Sequence, residues 1–249
     1  LPEPEGPRIA TASPALTCMS IAESMSSTRP SGVVTRFPSC VADMRIVCSI
    51  AFLLLAFMVP LITHAAGTIL VVGDSLSAAY GIDKRRGWVA LLQERLQQQQ
   101  RDYQVVNASI SGDTTRGGLS RLSAALRRES PDVLILALGA NDGLRGFSPG
   151  QTRENLRQMI RQARDAGASV LLLGIKLPAN YGPVYGEKFH RVYLDLAEEL
   201  DIELVPFFLQ GVAETRELMQ ADGIHPGIEA QPRILDNVWA GLSPLLMDR

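Results

Sequence analysis

A serine hydroxyl becomes a nucleophile at neutral pH only when a neighbouring base takes its proton, and a carboxylate that orients the base completes the set. This 249-residue chain carries those residue types far apart. Ser75 stands in Gly73-Asp74-Ser75-Leu76, while Asp222 and His225 share the turn Asp222-Gly223-Ile224-His225-Pro226 near the end. Of the three histidines, His64 falls just after an apolar leader-like run, and His190 adjoins Phe189 on an amphipathic stretch where a surface role explains it. His225 is the base candidate. A tight turn lets the Asp222 carboxylate reach its Nδ1 proton, which leaves Nε2 free to face a serine. Each part also has an ordinary explanation: Ser75 as a helix N-cap, and Asp-Gly and His-Pro as common loop pairs.

An acyl-transfer centre further needs donors for the negative oxygen of its tetrahedral intermediate. Two candidates follow apolar runs: Gly112, in Asn107-Ala108-Ser109-Ile110-Ser111-Gly112-Asp113-Thr114, and the amide of Asn141, in Gly139-Ala140-Asn141-Asp142-Gly143. Gly112 permits close approach of a backbone N–H. A loop glycine and an Asn-Asp-Gly turn remain the plain alternatives.

The elements that would position these residues alternate. Short apolar or β-branched runs at 68–73, 103–108, 132–139, 168–174 and 203–206 read as five strands. Between them come helical stripes: Trp88, Leu91, Leu92 and Leu96; Leu119, Leu122 and Leu126; and Leu156, Met159, Ile160 and Ala163. Two more are set by Phe189, Val192, Tyr193, Leu196 and Leu200, and by Ile234, Leu235, Val238, Trp239 and Leu242. Such alternation predicts a parallel five-stranded sheet covered on both faces, an α/β/α sandwich. Ser148, Pro149 and Gln151 spell an N-cap, an N1 proline and a capping-box partner, and Gly167 marks that helix's stop. In open α/β sheets ligands bind beyond the carboxyl ends of the strands, where all four chemistry-bearing segments fall.

Taken together, Gly73-Asp74-Ser75-Leu76, Gly112, Asn141 and Asp222-x-x-His225 resemble, in order, the blocks of the SGNH, or GDSL-type, hydrolases. The likeness runs over essentially all of residues 66–246. Val71-Val72-Gly73-Asp74-Ser75-Leu76-Ser77 and Leu177-Pro178-Ala179-Asn180-Tyr181-Gly182 are similar to the bacterial periplasmic branch with thioesterase, lysophospholipase and arylesterase activities. The resemblance implies a flavodoxin-like fold, a Ser75–His225–Asp222 triad, an oxyanion hole of Ser75, Gly112 and Asn141, and hydrolysis of acyl esters and thioesters without metal or cofactor. One departure stands out: Ala140 replaces the second glycine of the family's Gly-Gly-Asn-Asp, a cost of about 1 kcal/mol if that backbone needs positive φ. The loops 143–148 and 177–185 are expected to wall the acyl site, with Leu144, Phe147, Leu177 and Tyr181 as its apolar surface. Two rival functions use the same sequence: an O-acyltransferase with the same triad, and a non-catalytic α/β binding module. Against the module, no G-x-G-x-x-G or P-loop follows the first strand.

Charge adds limits. With 24 Lys and Arg against 26 Asp and Glu, and no like-charge run, nothing marks a nucleic-acid groove or a polybasic membrane patch. Met44 and Arg45 precede an apolar stretch at 46–62, then Thr63-His64-Ala65, which reads as a signal peptide at 44–65 cut before Ala66. Residues 1–43 are rich in Pro and Ser without periodicity and read as disordered, or as lying upstream of a true start at Met44. The hydrolase domain is then 66–249, a monomer without a membrane anchor, periplasmic or secreted. Cys18, Cys40 and Cys48 all precede the cut, which leaves that domain no thiol chemistry.

Overall fold

The structure, a computed structural model, describes residues 66–246; the segment 1–43, the leader 44–65 and the three cysteines lie outside the described residues. The strands are Gly67–Gly73 (β1), Tyr103–Asn107 (β2), Val133–Ala137 (β3), Ser169–Leu173 (β4) and Glu203–Val205 (β5), all parallel and ordered β2-β1-β3-β4-β5. The central strands are near-continuous apolar runs because both their faces are covered: every residue of β3 is buried, as are Ile69 to Val72 of β1. β2, at an edge, is only partly buried.

The helices are Trp88–Gln98 (α1), Thr115–Glu129 (α2), Ala140–Leu144 (α3), Pro149–Asp165 (α4), Pro183–Leu200 (α5) and Gln231–Leu242 (α6). α1 packs against α6 on one face, and α2, α4 and α5 adjoin one another on the other, giving three layers. Each buries the stripe its periodicity predicts, such as Leu156, Met159, Ile160 and Ala163 of α4. Ser148 is the N-cap of α4 and Pro149 follows it, but the Ser148 side chain makes no capping bond; backbone N–H groups of Gln151 and Thr152 turn to its carbonyl instead. The other end closes as expected. Gly167 takes φ +86°, its N–H reaching Arg164 O and that of Ala168 reaching Ala163 O, a Schellman closure that feeds the chain into β4.

The chain leaves β1 outward to β2, then returns across β1 to β3, so the strand order reverses between β1 and β3. The two connections diverge there and leave a crevice at the carboxyl ends. Beyond β4 the chain still hugs the β5 connection: Gly174 donates to Val205 O at 2.8 Å, and a Cβ on Gly174 would lie 2.2 Å from Pro206 O. Backbone cannot yield as a side chain can. Gly174→Ala is therefore expected to cost about 1–3 kcal/mol and to lower the melting temperature by roughly 2–10 °C in a domain of this size; an unchanged thermal melt would show the two connections free to separate.

Candidate active site

Ser75 follows the last residues of β1, where the buried strand emerges at the crevice. The segment after it is not the helix that an N-cap role for Ser75 would require. Residues 75–81 form successive turns, with Ala78 donating to Asp74 O and Tyr80 to Ser75 O, and positive φ at Ala79 (58°) and Gly81 (75°) prevents helical propagation. Ser75 thus caps no helix, and no extended helix dipole lies behind it.

His225 Nε2 lies 2.9 Å from Ser75 Oγ, and His225 Nδ1 lies 2.7 Å from Asp222 Oδ2. An ionised carboxylate only accepts, so Nδ1 carries the hydrogen and Nε2 accepts from the serine hydroxyl. The turn builds this locally. Asp222 Oδ1 accepts the backbone N–H groups of Ile224 (2.9 Å) and His225 (3.0 Å), while Gly223 takes φ +69°. The His225 backbone N–H, the imidazole and the Ile224 N–H together hold the Asp222 carboxyl down to about 2. Asp74 behaves oppositely: its burial pushes the carboxyl up to about 7, against hydrogen bonds from Leu76 N–H and the Asn141 amide.

The donor candidates border the same crevice. The loop after β2 stays paired to β1 through Ala108 N–H to Val71 O and Ile110 N–H to Gly73 O. Arg121 clamps it, donating to Ala108 O at 2.6 Å and Asp113 Oδ2 at 2.8 Å. Gly112 has φ +78°, which only glycine adopts freely. Among the described residues, the N–H groups of Ser75 and Gly112 have no hydrogen-bond acceptor. Asn141 sits in the first turn of α3, its amide donating to Asp113 O (3.0 Å) and, at greater length, Asp74 Oδ2 (3.3 Å). The Ala140 departure carries no strain: Ala140 lies inside α3, and the positive φ (119°) falls on Gly139, where a Cβ would lie 2.0 Å from Tyr193 Oη.

A cleft of about 510 Å³ opens beside Ser75, Asn141 and His225. Leu144 and Leu177 line it. Phe147 and Tyr181 do not: Phe147 faces solvent, its carbonyl taken by Tyr185 Oη, and the Tyr181 hydroxyl turns back to Leu144 O. The remaining apolar wall comes from residues that sequence reasoning missed, chiefly Ile175, Phe207, Leu209, Met219 and Ile224. Ile175 was findable, since it directly follows the fourth strand's end. The others sit on the long connection after the three-residue β5, which has no periodicity to read. His190 does not line the cleft; its Nδ1 lies 3.1 Å from Ile175 O. Among the described residues, no three or more His, Cys, Asp or Glu side chains group as metal ligands would, and no helix is long and apolar enough to cross a membrane.

Known proteins resemble this chain in sequence and fold. The esterase TesA of Pseudomonas aeruginosa is 59% identical over 182 residues, 73% of this chain and 90% of that protein. Thioesterase 1/protease 1/lysophospholipase L1 of Escherichia coli strain K12 is 48% identical over 182 residues, 73% of this chain and 86% of that protein. The crystal structure of the psychrotrophic esterase EstA from a Pseudoalteromonas species, inhibited by monoethylphosphonate, superposes with a TM-score of 0.69 at 40% identity, covering 72% of this chain and 98% of that one. The profile of the GDSL-like lipase/acylhydrolase family spans residues 71–231, from the β1 strand to the start of α6. With the family's profile covering more than half of its length and relatives of this identity nearly end to end, the chain belongs to the GDSL-like lipase/acylhydrolase family.

Proposed function

We propose that the chain hydrolyses acyl esters and thioesters through an acyl-enzyme on Ser75, with His225 as general base and then acid and Asp222 as its orienting carboxylate. The unbroken line from Asp222 through His225 to Ser75, at 2.7 and 2.9 Å and opening onto an apolar cleft, carries this reading. His225 Nε2 takes the hydroxyl proton as Oγ bonds to the acyl carbon. The carbonyl oxygen becomes an oxyanion, received by the N–H groups of Ser75 and Gly112 and by the Asn141 amide. On collapse the protonated imidazole returns its proton to the leaving alkoxide or thiolate. Water repeats the sequence on the acyl-enzyme and regenerates Ser75.

Asn141 has two amide hydrogens, and the 3.0 Å bond to Asp113 O anchors one of them. The longer contact to Asp74 is the one an oxyanion replaces. Because that exchange occurs only as charge develops, Asn141→Ala is expected to lower kcat by about 10²–10³-fold with little change in KM. Steady-state kinetics on a p-nitrophenyl ester checks this; a rise in KM at constant kcat would make Asn141 a ground-state binding residue instead.

The acyl chain enters the cleft between Leu144, Leu177 and Phe207, where burial of each methylene contributes about 0.8 kcal/mol. Hydrolysis stands over acyl transfer and over a non-catalytic module, since the relatives bear the names of hydrolases. The family assignment covers the class of reaction; the partner is a small-molecule ester or thioester and not a nucleic acid. We also propose that residues 44–65 direct export to the periplasm or beyond and that 66–249 act as a monomer without a membrane anchor, on the strength of the charged, apolar and small-residue order of the leader. A fluorophosphonate tests the mechanism. It is expected to form one adduct, mapped by mass spectrometry to Ser75, and to abolish ester hydrolysis; labelling elsewhere with activity retained defeats the assignment.

A further inference from the structure

His225 lies on a loop and Ser75 on another, 150 residues away in the chain, so some contact other than the catalytic hydrogen bond must fix their spacing. We propose that Gln220, together with Tyr80, is that brace: a positioning residue that locks the base loop onto the nucleophile loop. This rests on the Ser75–His225 reading above.

Gln220 Nε2 donates to Tyr80 O at 2.8 Å and to Pro226 O at 3.0 Å. Its backbone N–H donates to His225 O at 2.7 Å. One side chain thus ties the carbonyl five residues after Ser75 to the carbonyl next to His225, and both of its amide hydrogens are consumed in doing so. Tyr80 completes the connection. Its N–H donates to Ser75 O at 3.2 Å, and its ring lies against the His225 imidazole with centroids 4.5 Å apart. Gly81, at φ +75°, leaves the room this needs, since a Cβ there would lie 2.2 Å from Gln220 Oε1. Beside this brace, Ser75, Leu76, Ala79 and Tyr80 of the nucleophile loop and His225 and Pro226 of the base loop border one small cavity. Gln220 does not line the cleft, so it acts through His225 and not on substrate.

A brace of this kind controls the Nε2 to Oγ distance and leaves substrate binding alone. Displacing a catalytic group by about 1 Å costs on the order of 100-fold. Gln220→Met keeps length and volume but donates nothing. In the full chain it is expected to reduce kcat on a p-nitrophenyl ester by about 10- to 100-fold per site titratable with fluorophosphonate. KM stays as in the wild type, labelling slows in parallel, and the acid limb of the pH profile keeps its midpoint because the Asp222–His225 pair is intact. Tyr80→Leu, at a half-exposed ring where folding is not at stake, is expected to show the same pattern with a smaller loss. The double variant should lose less than the product of the two, because both act on one element. A residue that merely stabilised the fold would reduce the titratable fraction and the melting temperature while kcat per titrated site stayed at the wild-type value; that result in both single variants overturns the brace, as does a strictly multiplicative double variant. Ser75→Ala run alongside separates the two levels: an active Ser75→Ala removes the catalytic reading itself, whereas an inactive Ser75→Ala beside unaffected Gln220→Met and Tyr80→Leu removes the brace alone.

Discussion

Ser75→Ala is expected to lose all fluorophosphonate labelling and to lower kcat for ester hydrolysis by about 10⁴–10⁶-fold, leaving the residual rate that oriented binding and the oxyanion donors still supply. The reason is local. No other described hydroxyl lies within hydrogen-bonding distance of the His225 imidazole, and Nε2 has Ser75 Oγ as its single partner there. His225→Ala should fall to a similar rate, and the double variant should fall no further, because nucleophile and base act in one step and their losses do not add. Folding is not the cause of the loss, since Ser75 is only half-buried and its hydroxyl bonds to nothing but the imidazole. Circular dichroism and an unchanged melt would verify that. Full esterase activity in folded Ser75→Ala would mean that the hydrolysis is carried out elsewhere on the molecule.

Such a site is legible in the sequence to the extent that its parts are local. β-branched runs and helical stripes reveal the sheet and its layers because burial on both faces leaves no polar residue in β3 and a single apolar stripe on α4. Asp222 and His225 are readable as a pair since one turn brings them together. Their meeting with Ser75 is not local; it follows from the strand order and from α6 packing on α1, where Gln231 Oε1 accepts the Trp88 N–H and Gln231 Nε2 donates to Gly227 O beside the histidine loop. Motif order stood in for that geometry. Where neither periodicity nor motif applies, expectation and structure part. The cleft wall is drawn from the irregular connection after β5, so Phe207, Leu209 and Met219 gave no signal, while Phe147, expected as apolar surface, faces solvent and the Tyr181 hydroxyl is spent on Leu144 O. The helix that Ser75 would cap as an N-cap does not form, for a conformational reason that composition conceals, a left-handed alanine at position 79.

Asp222→Asn is expected to lower kcat by about 10³–10⁴-fold while leaving KM close to the wild-type value. An asparagine can present its amide hydrogens to Nδ1, which then becomes an acceptor; the ring proton moves to Nε2, and the base no longer has a lone pair facing Ser75. The pH dependence separates this from a purely electrostatic role. Asp222 is held down to about 2, first by the His225 backbone N–H and then by the imidazole. A carboxyl depressed in this way gives a stabilising contribution that is complete above its unfolded value near 4 and fades as pH falls towards 2. Throughout the working range it therefore stays ionised, and the acid limb of kcat/KM is not set by Asp222. In Asp222→Asn the limb should persist beneath a much lower plateau. Its side chain is 40% exposed, so charge alone is heavily screened there, and raising the ionic strength should leave wild-type kcat nearly unchanged. Strong salt inhibition, or a plateau preserved in the asparagine variant, would show that Asp222 contributes a field and not an orientation, and the tautomer argument would fall with it.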